Sequence, residues 1–364
     1  MQNKNQLKYL NALNKINGVG PQRMKLLLNF FETPENIWHA GLSDLKASKV
    51  GNAVSEKLFQ ERKTIDPEQE WEKLEKERIE IITLEDSAYP RLLQEIPNPP
   101  YIIYKKGDFD LNSAPMISIV GSRKFTSYGA QAATALAHDL AAAGITVVSG
   151  MALGIDAIAH RSALGAGGKT VAVLGNSLDD KSIYPRANFN LSQEIAENGA
   201  LVSEFPIETA AAPGNFPARN RIIAGLSAGT LVIEAGEKSG SLITADLALE
   251  FNREVFAVPG SIFSAQSGGT NSLIKSGAKV VTNVKDILEE LNLNENTRTA
   301  GNTPKIPDNP EEEILLKILG SDPLHIDNIS KLSKLGTATV SGHLALMEMK
   351  GWVKNIGGQN YISL

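Results

Sequence analysis

From residue 79 to about residue 291, short β-branched and aliphatic runs alternate with alanine-rich segments of helical length. Runs that are apolar throughout, rather than at every second position, belong to strands covered on both faces, and strands separated by helices pair in parallel. The stretch therefore predicts an α/β domain with a mostly parallel sheet. Six strands are expected, at 117–120, 145–149, 171–174, 201–203, 231–234 and 255–258. Each is followed by glycine, serine or proline, and usually by a helix.

The rest of the chain divides around this block. A length of 364 residues exceeds what one core normally serves, so more than one domain is expected. Residues 1–66 read as a small helical domain and 67–291 as the α/β domain. Residues 292–310, poor in apolar side chains and rich in Asn, Thr and Pro, read as a linker, with a third domain at 311–364. The absence of cysteine excludes disulfides and thiolate chemistry and fits a reducing cytoplasm. No apolar segment has the length of a signal peptide or membrane span, so a cytoplasmic chain without membrane attachment is expected. The net charge of −5 gives no general attraction to polyanions, so any nucleic-acid affinity must come from locally gathered cations.

Ligands of open α/β sheets bind beyond the carboxyl ends of the strands, where this chain concentrates its unusual residues. After 117–120 come Gly121, Ser122, Arg123 and Lys124, and after 145–149 comes a loop from Gly150 to Gly154. Beyond 171–174 lies Tyr184-Pro185-Arg186-Ala187-Asn188, and beyond 231–234 lie Ser239, Gly240, Ser241 and Thr244. Phe216-Pro217-Ala218-Arg219-Asn220-Arg221 places two arginines around Asn220 before an apolar helical run. With Pro217 in the first turn, Arg219 and Arg221 would sit where free N–H groups and the helix dipole favour an anion. Pairing with Glu204 or Glu234 is the other role open to them. Together the junctions describe a groove for several phosphates: glycines admit a ligand closely, while hydroxyls and guanidinium groups donate to it.

Several chemistries have no residues to carry them. No Gly-x-x-x-x-Gly-Lys-Ser/Thr loop or nucleophile elbow is present, and the five histidines have no metal-ligand spacing. His160 reads as a helix-surface or packing residue. Asp156, Glu204 and Glu234 lie near strand ends and read as arginine partners rather than acid–base groups. No catalytic residue, metal site or cofactor is expected, and a binding protein is favoured over an enzyme.

Six segments together carry a resemblance: Ser118 to Arg123, Ser149 to Asp156, Ile183 to Asn188, Ser203-Glu204-Phe205-Pro206, Phe216 to Ser227, and Phe256 to Gly260. They closely resemble the DNA processing protein A family, also called DprA or Smf, with a dense match from about residue 80 to 285. The resemblance implies an extended Rossmann-like domain that binds single-stranded DNA, a homodimer, and a role in loading the recombinase RecA during natural transformation. It assigns DNA-backbone contact to Arg123 and Arg186. In the same light 16–28, with Gly18-Val19-Gly20, reads as a helix-hairpin-helix within a SAM-like N-terminal domain, and 311–364 as a winged helix. The recognition helix expected at 337–349 carries Thr337, Thr339, Ser341 and His343 but no arginine. Two rivals remain. The fold also resembles lysine-decarboxylase-like nucleotide phosphoribohydrolases, but their Pro-Gly-Gly-x-Gly-Thr is here split between Pro259-Gly260-Ser261 and Gly268-Gly269-Thr270-Asn271, without the following glutamate. A nucleotide-sensing protein with a winged-helix output is the second.

Overall fold

The computed structural model describes residues 4–293, 307, 309–319, 324–350, 352–355 and 357–363. They belong to two compact units, Met1–Gly301 and Asn302–Leu364.

The first unit is built on nine strands: β1 (Glu80–Thr83), β2 (Ile102–Lys106), β3 (Met116–Val120), β4 (Thr146–Ser149), β5 (Thr170–Val173), β6 (Ala200–Ser203), β7 (Gly229–Val232), β8 (Glu254–Ala257) and β9 (Lys279–Val280). Their order across the sheet is β1-β2-β6-β5-β4-β3-β7-β8-β9. All pairs from β6 to β9 are parallel, with Ile117 of β3 set between Val147 and Gly229. β1 and β2 add an antiparallel edge on β6. The six expected strands are present within a residue or two of their expected limits; β1, β2 and β9 are additions. Every residue of β3 to β7 is buried, as uninterrupted apolar runs demand.

From β3 the chain winds outward through β4, β5 and β6, then crosses back to β7 on the other side of β3. The sheet thus changes winding direction between β3 and β7, and a crevice opens beyond their carboxyl ends. Helices complete the layers: α1 (Lys4–Asn14), α2 (Pro21–Phe31), α3 (Pro34–His39), α4 (Leu42–Ala47), α5 (Asn52–Glu61), α6 (Pro67–Lys76), α7 (Arg91–Gln94), α8 (Ser127–Ala142), α9 (Ile155–Gly165), α10 (Phe189–Asn198), α11 (Asn215–Leu226), α12 (Gly240–Glu250), α13 (Gly268–Lys275) and α14 (Val284–Glu290). The alanines of α8 and α9 let these helices pack closely: Ala133, Ala137, Ala141, Ala159 and Ala163 share a core with Ile117, Ile119 and Val147.

The expected boundary at residue 66 divides a shared core. Leu10, Leu13 and Leu27 join the same apolar cluster as Ile103, Tyr104 and Val202. Buried Tyr104 donates its hydroxyl to Asn11 Oδ1 at 2.9 Å, and Asn14 donates to the Tyr104 oxygen at 3.1 Å. Asp66 caps α6, which is tied to α1 by Lys8–Glu68 and Lys4–Glu75 ion pairs. The helical segment is therefore continuous with the sheet's core.

The second unit contains α15 (Pro310–Ile318), β10 (Leu324–His325), α16 (Ile326–Ser333), α17 (Thr337–Met349), β11 (Val353–Asn355) and β12 (Asn360–Ser363). Its sheet runs β10-β12-β11, with Gly357 and Gly358 at positive φ in the hairpin. Leu315, Ile329, Val340, Leu344 and Met347 form its core. Most of the expected linker, 292–310, lies outside the described residues.

Candidate nucleic-acid interface

A cavity of about 800 Å³ occupies the crevice beyond β3 and β7. Gly121, Ser122, Arg123 and Lys124 line it from the turn after β3, Ala152 and Asp156 from the loop after β4 and the first turn of α9, and Lys238, Ser239, Gly240, Ser241 and Thr244 from the loop and helix after β7. Arg123, Lys124 and Lys238 are exposed, so their charges reach solvent. Ser122 Oγ donates to the Lys124 carbonyl at 2.8 Å or Gln266 Oε1 at 3.0 Å and accepts from the Lys124 N–H at 3.0 Å, fixing the turn that presents Arg123. Ser239 caps α12, and its hydroxyl lies 2.7 Å from that of Ser241.

Two glycines are required by close approach. Gly154 has φ +94°, and a Cβ there would stand 2.5 Å from the Ser122 carbonyl oxygen. A Cβ on Gly150 would fall 1.5 Å from Arg219 Nη1. Gly150 is thus the floor across which the Arg219 side chain passes.

The helix carrying the two arginines begins at Asn215, so Pro217 is its third residue and Arg219 its fifth. The arginines consequently lie beyond the first turn, and the helix separates them. Arg219 lines the cavity yet is only 4% exposed, and its Nε and Nη1 are buried without a hydrogen-bond acceptor. Burial lowers its pKa to about 10, which leaves it charged at neutral pH. Arg221 turns away to pair with Glu204 outside the cavity lining. Asn220 stays at the cavity, donating to the Gly240 carbonyl at 3.4 Å.

The other predicted groups fall into distinct places. Asp156 is buried and accepts from the Ala152 N–H at 3.3 Å, holding the glycine loop; burial raises its pKa, against the charges of Arg219 and Arg123. Glu234 is no arginine partner: it accepts from Thr126 N–H at 2.9 Å and Thr126 Oγ1 at 2.6 Å, anchoring the start of α8. His160 is wholly buried, 2.7 Å from Thr170 Oγ1. Because that hydroxyl donates to the Val147 carbonyl, His160 Nδ1 carries the proton and Nε2 is left without a donor. Burial, with the Arg219 charge, lowers its pKa to about 3. Asn188 is also buried, donating to the Met151 carbonyl at 2.9 Å; expected at the ligand, it instead ties α10 to the loop after β4.

Arg186 is exposed but does not line the cavity. It donates to the Asp180 carbonyl at 2.6 Å and lies 4.0 Å from the Phe189 ring centre. Its link to the cavity is aromatic. Arg123 lies over Phe216 at 5.7 Å, and Phe216 lies 5.9 Å from half-exposed Tyr184, two residues before Arg186. Sequence reading left Phe216, Lys238 and Gln266 out of the site. Phe216 and Lys238 stand next to the arginine and serine motifs, and that adjacency was the signal for them; Gln266 is brought to Ser122 only by the fold.

Among the described residues, no three His, Cys, Asp or Glu side chains are placed to hold a metal ion, and no helix is long and apolar enough to cross a membrane. At the N-terminal hairpin, Gly18 has φ +100° and its carbonyl accepts from Arg23 at 2.7 Å. The hairpin faces Pro100, Tyr101 and Phe205 across a smaller cavity of about 380 Å³.

The model of the DNA recombination-mediator protein A family matches residues 80–292, which span every strand and loop of this crevice. The chain belongs to the DNA processing protein A family. The DprA winged helix domain matches residues 299–359. Protein Smf of Synechocystis is 37% identical over 97% of this chain and 98% of its own. The crystal structure of DNA processing protein A from Streptococcus pneumoniae, 35% identical, superposes with a TM-score of 0.66 over 80% of this chain and 99% of that one. The protein of Helicobacter pylori, whose structure is described by its single-stranded DNA binding mode, is 35% identical with a TM-score of 0.53, covering 58% of this chain and 95% of that one.

Proposed function

We propose that this DprA-family chain binds single-stranded DNA with its phosphates in the crevice beyond β3 and β7, without turning over nucleotide. The observation that carries the reading is Arg219: a charged guanidinium on the cavity wall, nearly buried, with two nitrogens lacking acceptors. An unsatisfied buried cation costs folding free energy, and a phosphate oxygen would supply what it lacks. Arg123, Lys124 and Lys238 extend the positive field into solvent, while Arg186, reached along Phe216 and Tyr184, carries the strand onward. Family membership and the described binding mode of the Helicobacter pylori protein support the same polymer. We propose a homodimer and the loading of RecA onto the bound strand during DNA uptake on the resemblance to the family alone.

Titration of labelled single-stranded and duplex DNA at several salt concentrations tests the site. The single strand is expected to bind more tightly. The Arg123→Ala, Arg186→Ala double variant should bind more weakly, with a log–log salt slope shallower by about 0.7 for each phosphate left without its arginine. Unchanged affinity and slope would remove both residues from the site. RecA filament growth on strands covered by single-strand binding protein tests the loading role, which fails if this chain does not accelerate it. Incubation with ATP, NAD and nucleoside monophosphates tests the absence of turnover; protein-dependent release of base, sugar phosphate or phosphate would favour an enzyme.

A further inference from the structure

A second cavity, of about 600 Å³, lies between the start of α8 and the loop joining β8 to α13. Thr126, Ser127 and Tyr128 form one side and Ser261, Ser264 and Ser267 the other, with Glu234 among the residues between them; no lysine or arginine lines it. Glu234 is 2% exposed and already accepts both donors of Thr126, so the cavity offers hydroxyls and a carboxylate to its contents. That lining repels phosphate. It suits a neutral group with N–H donors and a flat face.

The loop over this cavity is pinned at its base and apolar at its tip. Tyr128 donates its hydroxyl to the Pro259 carbonyl at 2.7 Å, and the Asn271 side chain bonds both to the N–H and to the carbonyl of Gly260. Between Ser261 and Ser264 stand Ile262 and Phe263, 84% and 93% exposed, the largest exposures among the described large apolar side chains. Tyr128 is itself half exposed. The same loop reaches the phosphate crevice through Gln266, which bonds Ser122 at 3.0 Å and lines that cavity. A cationic crevice and a cavity lined by hydroxyls, the Glu234 carboxylate and Tyr128 therefore adjoin along one loop, which can place the phosphate and the base of one nucleotide side by side.

We infer that the second cavity receives an unpaired base of the strand whose phosphates occupy the crevice, with Phe263 supplying a stacking face at its rim. The inference rests on the single-strand reading above and adds a base-contacting element to it. Stacking on an aromatic side chain tolerates any sequence, so this site adds affinity without selecting a sequence.

The test compares two labelled strands of equal length on the full chain, one of thymidylate and one of abasic residues. The thymidylate strand should bind more tightly to the unaltered chain. Phe263→Ala should weaken thymidylate binding by about fivefold or more, leaving abasic affinity and the salt slope unchanged. Phe263→Trp should restore affinity, and its added fluorescence should be quenched by thymidylate but not by the abasic strand. Equal loss on both strands, no loss, or a fall in affinity accompanied by a change of association state in sedimentation would overturn the inference. Failure of the unaltered chain to bind either strand would instead overturn the single-strand reading itself.

Discussion

Two faces of α11 carry arginines separated by one residue, and the fold gives them opposite situations. Arg221 lies against Glu204, each side chain about one-sixth exposed, and this pair joins the helix to the segment after β6. Arg219 faces the crevice with a buried guanidinium whose Nε and Nη1 have no acceptor. Arg221 has a carboxylate of the protein as its partner, with only Nη1 lacking an acceptor, whereas both Nε and Nη1 of Arg219 are left for something outside the protein. Arginine content near a strand end therefore says little about ligand contact until the acceptors around each guanidinium are known.

The sharpest way to break this contrast is to remove the acceptor on the satisfied face. Glu204→Ala leaves Arg221 partly buried and unpaired, so urea unfolding should show a loss of about 3 kcal/mol, with single-strand affinity changed less than twofold. A fall in affinity with intact stability would put Arg221 in the binding site and erase the contrast.

On α9, within reach of the Arg219 charge, His160 should report burial through pH. Its pKa is about 6.5 when unfolded and about 3 when folded, so the unfolded state takes up the proton first. Stability is complete above pH 6.5 and falls as pH drops toward 3, by up to about 1.4 kcal/mol per pH unit. Comparing the unaltered chain with His160→Gln between pH 7 and 5 isolates this slope from Asp156, whose raised pKa acts in the opposite direction. Equal slopes would mean that His160 becomes protonated within the fold.

Arg219→Met is expected to lower single-strand affinity roughly tenfold, about 1.4 kcal/mol, while thermal stability stays level or rises because an unsatisfied buried charge is removed. Lower stability with unchanged affinity would make Arg219 a structural partner of Asp156. The smallest effect is expected from removing the second unit. Truncation after residue 303 should keep single-strand affinity within about tenfold, because α17 carries no lysine or arginine. A truncation beginning at residue 67 is a poor companion, since it strips α1 to α5 from the core they share with β2 and β6.

The six apolar runs located six of the seven parallel strands because a strand covered on both faces needs apolar residues at nearly every position; β9, a two-residue exposed edge strand, carries no such run. β1 and β2 were harder to read: they are short, antiparallel and partnered from a distance, and nothing local in Ile-Ile-Thr or Ile-Ile-Tyr-Lys-Lys declares the pairing. Ser122, Arg123, Arg219 and the 239–244 segment were legible as one site because each follows a strand of a sheet whose ligand end is known in advance. Asn188 and Arg221 were read from the same logic and are turned elsewhere: Asn188 meets the loop carbonyls of Met151 and Ala152, and Arg221 meets Glu204. Their partners are distant in sequence, and side-chain direction depends on that packing.

By itself the sequence determined the sheet, the glycine-marked turns and the gathering of cations at the strand ends, because periodicity and turn chemistry act over a few residues. Only the tertiary structure decided that the N-terminal helices share the sheet's core, that Glu234 anchors α8, and that Arg221 meets the Glu204 carboxylate while Arg219 faces the crevice with Nε and Nη1 lacking acceptors. Each depends on which groups from distant segments meet in a buried space, where a missing hydrogen-bond partner carries the largest free-energy cost.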